Sequence, residues 1–256
     1  MKIINEERRY QQKVIFDKPI IVGETSEFWQ DCPNVALVDP SYAYVYFEDF
    51  IACGGVGSIV SETENQAPWL ATLVDGGSAN AEVLKIADDQ PGGVFVCTTN
   101  PAANDLNNLQ LNGEMFKLAS GKNLWFETKI KIVDVDKTDW FIGLAITDTT
   151  ILAGTTDSIG FRCPDHTGDI DYVCEKDSTE TAADTGANLS DNTWVRLGFK
   201  FDGINRVTFF VDGVPKAIVS TNIPDDEALT PSFEVRTSEA SAHTMYVDYI
   251  KIVQFR

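Results

Sequence analysis

The chain has 256 residues, with 39 Asp and Glu against 20 Lys and Arg, a formal net charge of −19 and 43% hydrophobic residues. That length holds one large all-β domain or two smaller ones and buries a sizeable core. So acidic a surface argues against nucleic acid or an anionic membrane as partner, since Lys and Arg must neutralise phosphates there. No apolar run approaches the length of a membrane span.

The first stretch, MKIINEERRYQQKVIF, carries charge through its first thirteen residues and has no apolar h-region. It does not read as a secretory signal, and synthesis in a cytoplasm is expected. Residues 1–18 hold a net charge of +2, which leaves −21 on the remainder. Short apolar pieces follow, punctuated by Pro19, Pro33 and Pro40. Tyr10, Phe16, Phe28, Trp29, Tyr42, Tyr44 and Tyr46 are too many rings for a disordered tail. Residues 1–46 are therefore expected to form an extended arm that buries its rings on its own domain or on a neighbouring subunit. Tyr10, Phe16, Phe28, Trp29, Tyr42 and Tyr44 are its candidate partner-binding residues.

From Phe47 to residue 256 the pattern is that of one all-β domain. Short strands are expected at Gly57–Glu62, Trp69–Val74, Ala81–Ile86, Gly93–Thr98, Leu109–Leu111 and Met115–Leu118, with Gly-, Ser-, Asn- and Pro-rich loops between them. Leu124–Val133 alternates well, with Lys129 and Lys131 on its polar side. Trp140–Ile146 is apolar throughout, as a central strand covered on both faces would be. Ser158–Cys163 and Ile170–Glu175 are expected to pair across a Pro-Asp-His-Thr-Gly loop, and Ser232–Thr237 and Thr244–Phe255 close the chain. No amphipathic helix of three turns is apparent.

The most legible stretch is Thr193–Gly213. Val195, Leu197, Phe199 and Phe201 alternate with Trp194, Arg196, Gly198 and Lys200, and Val207, Phe209 and Val211 alternate with Arg206, Thr208 and Phe210. A period of two puts successive side chains on opposite faces of a sheet. Asp202-Gly203 and Asp212-Gly213 mark two tight turns, so Val214–Val219 is expected to fold back as a third strand.

The cysteines, Cys32, Cys53, Cys97, Cys163 and Cys174, are odd in number and form no CxxC, which favours free buried thiols. Cys163 and Cys174 are symmetric about the 168/169 bond and could face each other across a hairpin with His166 nearby. A zinc site there lacks a fourth ligand. Acids cluster at Asp134, Asp136 and Asp139 and at Asp165, Asp169 and Asp171, without the spacing of a known calcium loop, so solvated turns are the better reading. His243 has no Ser or Cys partner in sight. No metal or cofactor is expected.

In order, FEDF, the strand with Phe126, GLA at 143–145, IGF at 159–161, TWVRLGFKFDG–VTFFVDG and VDYIKI resemble the concanavalin A-like lectin/glucanase (laminin-G-like) jelly roll over residues 47–256. GEMFKL, NLWFETKIKI, FIGLAITDT and VDYIKIVQF are similar to the jelly-roll structural proteins of tailed-phage virions. The resemblance implies an all-β sandwich of two antiparallel sheets behind the arm. It also implies a non-enzymatic decoration protein on the outside of a phage head, with the major capsid protein and further copies of itself as partners. The alternative is a lectin-like module that binds a glycan, with Trp69, Trp125, Trp140, Asp165 and His166 as candidate contacts. Glucanases of the resembled family carry E-x-D-x-x-E on one strand, all three acids on the concave face. Here the nearest stretch is Asp169-Ile170-Asp171-Tyr172-Val173-Cys174, which lacks the third acid, so hydrolysis is not expected.

Overall fold

The computed structural model describes residues 27–51, 68–74, 83–88 and 90–256. Tyr10, Phe16, Cys53 and the strand expected at Gly57–Glu62 lie outside the described residues. A 3-10 turn at Glu27–Trp29 leads to the short helix α1 (Asn34–Val38), bracketed by Pro33 and Pro40. The Asp39 carboxylate then accepts both the N–H (2.8 Å) and the hydroxyl (2.6 Å) of Ser41, turning the chain into β1 (Ala43–Glu48).

The strands that follow are β2 (Trp69–Val74), β3 (Val83–Ile86), β4 (Phe95–Thr98), β5 (Leu106–Leu111), β6 (Leu124–Ile132), β7 (Thr138–Ala145) and β8 (Ser158–Cys163). Then come β9 (Asp169–Lys176), β10 (Thr179–Asn188), β11 (Val195–Phe201), β12 (Val207–Val211), β13 (Val214–Val219), β14 (Thr230–Thr237) and β15 (Thr244–Phe255). They form two antiparallel sheets. The first runs β13-β12-β11-β6-β15-β4-β3, with β1 also on β15, and the second runs β10-β9-β8-β7-β14-β5-β2. The chain is thus the expected all-β sandwich.

Alternation fills the space between the sheets. Phe126 and Phe199 stack 4.8 Å apart, Phe209 packs on Phe199, Phe161 and Tyr172, and Phe50, Trp69, Phe95 and Phe233 form a second knot of rings. Rings of this size buried in mutual contact supply much of the apolar transfer energy, about 2–3 kcal/mol each. The two turns of the meander form as their Asp-Gly pairs predict. Gly203 has φ +73°, and a Cβ there would stand 2.7 Å from Asn123 Oδ1. Asp212 and Gly213 both have positive φ, the requirement of a two-residue hairpin that follows the sheet twist.

Four observations add to or differ from the sequence reading. The domain boundary at 46/47 falls inside β1, which pairs with β15 from Ala43↔Phe255 to Glu48↔Ile250. Met115–Leu118 makes only an isolated bridge, Phe116↔Leu229. β10 (TETAADTGAN) was not expected: an edge strand with polar residues on both faces leaves no alternation to read. Finally, the β8–β9 hairpin turns about His166 (φ +47°) and Gly168 (φ +80°) and pairs Arg162↔Asp171 and Ile159↔Cys174. Cys163 and Cys174 therefore face the same core but are offset, Cys163 lying four residues along β8 from Ile159, the residue opposite Cys174. Both are free buried thiols, and burial raises the pKa of each.

Candidate functional site

On the outer face of the second sheet, register aligns Asp184, Asp171, Arg162, Phe141, Glu234 and Asn108 in one row across β10, β9, β8, β7, β14 and β5. The adjacent row holds Val173, Gly160, Gly143, Ser232 and Gln110. Gly143 and Gly160 pair in that row, and a Cβ would lie 2.2 Å from the Ile159 carbonyl oxygen on the first and 2.3 Å from that of Ile142 on the second, so the backbones approach too closely there for side chains. Residues 146–157 fold back over this part of the face. Ile151 packs among Phe141, Ala145 and Val173, with Leu152 and Ala182 beside it. That packing accounts for the complete burial of β7, whose outer face is covered by a loop rather than by a further layer.

The loop is clamped by side chains of the face beneath it. Asn108 donates to the Asp148 carbonyl (2.7 Å), Gln110 donates to the Ile146 carbonyl (2.8 Å), and Gln110 Oε1 accepts the Asp148 N–H (2.9 Å). Glu234 accepts the N–H groups of Ile151 (2.6 Å) and Leu152 (3.3 Å). Burial pushes the Glu234 carboxyl up to about 7, against the pull of those two N–H donors and of Arg236. A sealed carboxylate has no path to a substrate.

The acidic stretch on β9 is divided between the two faces. Asp169 and Asp171 point outward, whereas Ile170, Tyr172 and Cys174 face the core. Register through β8 is regular at 171–175, so Cys174, at the third position of the resembled glucanase pattern, does not share a face with Asp169 and Asp171. What stays open around Arg162 is Asp171, Glu175, Glu180 and Asp184; the guanidinium is forked onto Glu180 (2.6 and 2.7 Å). Burial raises the Asp171 carboxyl, with Arg162 opposing it. Asp139 is drawn away from Asp134 and Asp136 by Arg236 (2.7 Å), and His166 Nδ1 lies 3.4 Å from its other oxygen.

A cleft of about 470 Å³ at one end of this sheet is lined by Glu114, Thr147, Asp157, Asp177 and Glu227, among others. Its acids serve the backbone: Glu114 accepts the Thr147 N–H (2.6 Å) and Asp157 accepts that of Asp177 (3.2 Å). Among the described residues no group of three or more His, Cys, Asp or Glu is placed to hold a metal ion.

The outer face of the first sheet carries the described part of the arm. Phe28 sits edge-on to Phe210 and fills the place of a Cβ on Gly198, its ring 2.9 Å from that position. Trp29 donates to Glu127 (2.6 Å), Trp125 donates to Asp31 (3.1 Å), and Lys200 closes the set on Asp31 (2.7 Å). Tyr42 packs on Phe255, and Tyr44 stacks on Phe116 with its hydroxyl between the Met115 carbonyl and Gln254. Four of the six candidate partner-binding rings therefore contact their own sandwich, and only Tyr42 among them is exposed. Trp69, Trp125 and Trp140, candidates for stacking on a sugar, are buried, while Asp165 and His166 are exposed.

Beyond Trp29 the same face is open. Arg196 pairs across to Lys129, Lys129 to Tyr249, and Lys131 to Tyr246, with Trp194 next to Lys131. Lys131 Nζ lies 4.2 Å from the Tyr246 ring centre and 5.0 Å from that of Trp194, and Lys129 Nζ lies 4.8 Å from Trp194. Alternation in LWFETKIKI placed the two lysines on one face in advance. That Trp194 and Tyr246 join them required strand order, because Trp194 immediately precedes β11 and Tyr246 lies in β15, on either side of β6.

The profile of the SO2946-like, C-terminal domain family matches residues 90–248, most of the sandwich. The chain belongs to that family. Among solved structures, this SO2946-like chain is similar to SO2946 of Shewanella oneidensis MR-1, a protein of unknown function (16% identity, TM-score 0.58, 84% of this chain and 87% of that one). It is also similar to a Bacteroides ovatus mixed-linkage glucan GH16 protein in complex with product (12% identity, TM-score 0.56, 81% of this chain and 99% of that one). The Emp46p carbohydrate recognition domain, in metal-free form, has 8% identity and a TM-score of 0.51 over 81% of this chain and 97% of its own. No curated protein sequence matches the chain. At these identities the likeness is one of fold, and it is the concanavalin A-like jelly roll.

Proposed function

We propose that the chain is a non-enzymatic structural protein of a phage particle, a decoration domain that docks on the outer surface of the head and on its own copies. Its partner is then the major capsid protein, and its place the capsid surface after synthesis in the host cytoplasm. One observation carries this reading. Among the described residues, six of the eleven exposed large hydrophobic ones, Leu37, Val38, Tyr42, Val45, Phe47 and Ile51, lie within residues 27–51. Apolar side chains gathered on a surface with a net charge of −19 are suited to a protein contact, while the charge keeps undocked copies apart. The arm thus presents its outer side to a partner while its rings grip the sandwich. The resemblance of GEMFKL, FIGLAITDT and VDYIKIVQF to virion proteins supports the same reading, and the sealed Glu234 supports a role without hydrolysis.

The test is co-sedimentation with purified empty heads of the phage or prophage that encodes the chain, combined with light scattering for the mass of the free protein. Wild type should pellet with heads to a fixed copy number and self-associate. A Val38→Asp, Phe47→Asp, Ile51→Asp variant should keep its thermal midpoint and lose about tenfold or more in binding. A wild type that stays monomeric and in the supernatant, or a variant that pellets unchanged, would overturn the reading.

A second reading, a lectin-like glycan-binding module, is favoured by the half-exposed Trp194 and Tyr246 beside Lys131, which has no carboxylate partner among the described residues, and by the Emp46p carbohydrate recognition domain among the similar folds. A reducing-sugar assay on β-glucans should stay at background under either reading.

A further inference from the structure

The two outer faces of the sandwich differ in charge. On the second sheet the cations are matched, Arg162 by Glu180 and Arg236 by Asp139. On the first sheet the carboxylates near Trp194 are already committed. Glu127 accepts from Trp29 and Tyr249, and Asp248 is bound to Lys129 (2.5 Å). Among the described residues Lys131 lies against ring faces with no carboxylate in ion-pair reach, and the Arg196 guanidinium donates to the Asp212 carbonyl (3.5 Å) while the Asp212 carboxylate accepts the Arg196 backbone N–H (2.9 Å). Lys131 and Arg196 thus lie on one face, diagonal to each other across the β6–β11 ladder, with no carboxylate in ion-pair reach among the described residues. The rings also limit where Lys131 can go, so part of the entropy of ordering a flexible ammonium is already spent.

We propose that Trp194, Lys131, Tyr246 and Arg196 form a binding site for an acidic polysaccharide. The carboxylate or sulfate of one sugar supplies the missing counter-ion of Lys131 and Arg196, and the sugar ring lies beside Trp194 and Tyr246, whose faces suit the apolar side of a pyranose. A long nucleic acid fits less well: its charge density, one phosphate charge per about 1.7 Å of duplex, would meet the acidic remainder of the surface. This site rests on the glycan-binding reading and is independent of the apolar surface of residues 27–51.

The experiment is affinity electrophoresis and calorimetry of the full chain with polygalacturonate, dextran sulfate, neutral β-glucan and neutral dextran, in about 50 mM salt, where surface charges are weakly screened. Wild type should bind polygalacturonate, dextran sulfate or both, with affinity that falls as salt rises, and neither neutral polymer. Lys131→Met, which keeps the packing of the stem, and Trp194→Ala should each weaken binding about tenfold. Trp194→Phe guards against a folding defect and should retain most of the affinity, and Lys216→Glu, on exposed β13, should change nothing. Equal losses in Lys216→Glu and Lys131→Met would mean diffuse attraction and overturn the site. Binding of a neutral glycan, untouched by the Lys131 and Trp194 variants, would overturn the site and leave the glycan reading standing. No binding to any of the four polymers would remove both. Salt-sensitive self-association lost in Lys131→Met, without polysaccharide binding, would instead assign the patch to the acidic outer face of a second copy.

Discussion

Glu234 shows how a single residue can have two effects of opposite sign. Its oxygens satisfy the N–H groups of Ile151 and Leu152, which would otherwise be buried without acceptors, yet ionising it away from water is costly. With a folded value of about 7 against an ordinary 4.5, the folded protein holds this proton where the unfolded chain releases it. The stabilisation linked to that proton is complete below about pH 4.5 and is lost as pH rises to about 7, a difference of roughly 3 kcal/mol. Urea unfolding of wild type and Glu234→Gln from pH 4 to 8 should show this slope in wild type and its loss in the variant. Parallel curves would show that Glu234 does not titrate in that window.

Among the elements, the arm depends on one missing side chain. Gly198 lies in β11 where neighbouring positions carry Arg196 and Lys200, and its bare surface receives the Phe28 ring. Gly198→Val should push that ring out at a cost of about 1–3 kcal/mol and open residues 27–51 to protease before the sandwich unfolds. Limited proteolysis followed by urea unfolding checks it; wild-type behaviour in both would mean Phe28 is not seated there. The bounds of β2, β8, β11, β12, β13 and β15 were legible in advance; alternation marks β11 and β12, and the Asp212-Gly213 turn marks where β13 begins. β10 gave no such signal because neither face is buried. Nothing in residues 146–157 themselves marks them as a cover, since their anchors Asn108, Gln110 and Glu234 stand tens of residues away.

For the whole molecule, net charge is the dominant long-range force. Acids crowd the outer face of the second sheet, and much of their repulsion acts through solvent. Raising salt from about 20 mM to about 0.5 M should therefore raise the melting temperature, by about 2–4 °C for each ~1 kcal/mol of repulsion screened. A fall instead would mean that pairs such as Lys129–Asp248 and Arg236–Asp139 outweigh the repulsion. The sequence by itself determined the class of fold, most strands and the two Asp-Gly turns, because each depends on neighbours two to six residues apart. Only the tertiary structure decided that Phe28, Trp29 and Tyr44 bind their own sandwich, that Cys163 and Cys174 are out of register, that a loop seals Glu234, and that Trp194 and Tyr246 hold Lys131. Those outcomes depend on strand order and on the exact turn of a hairpin, which join residues from opposite ends of the chain.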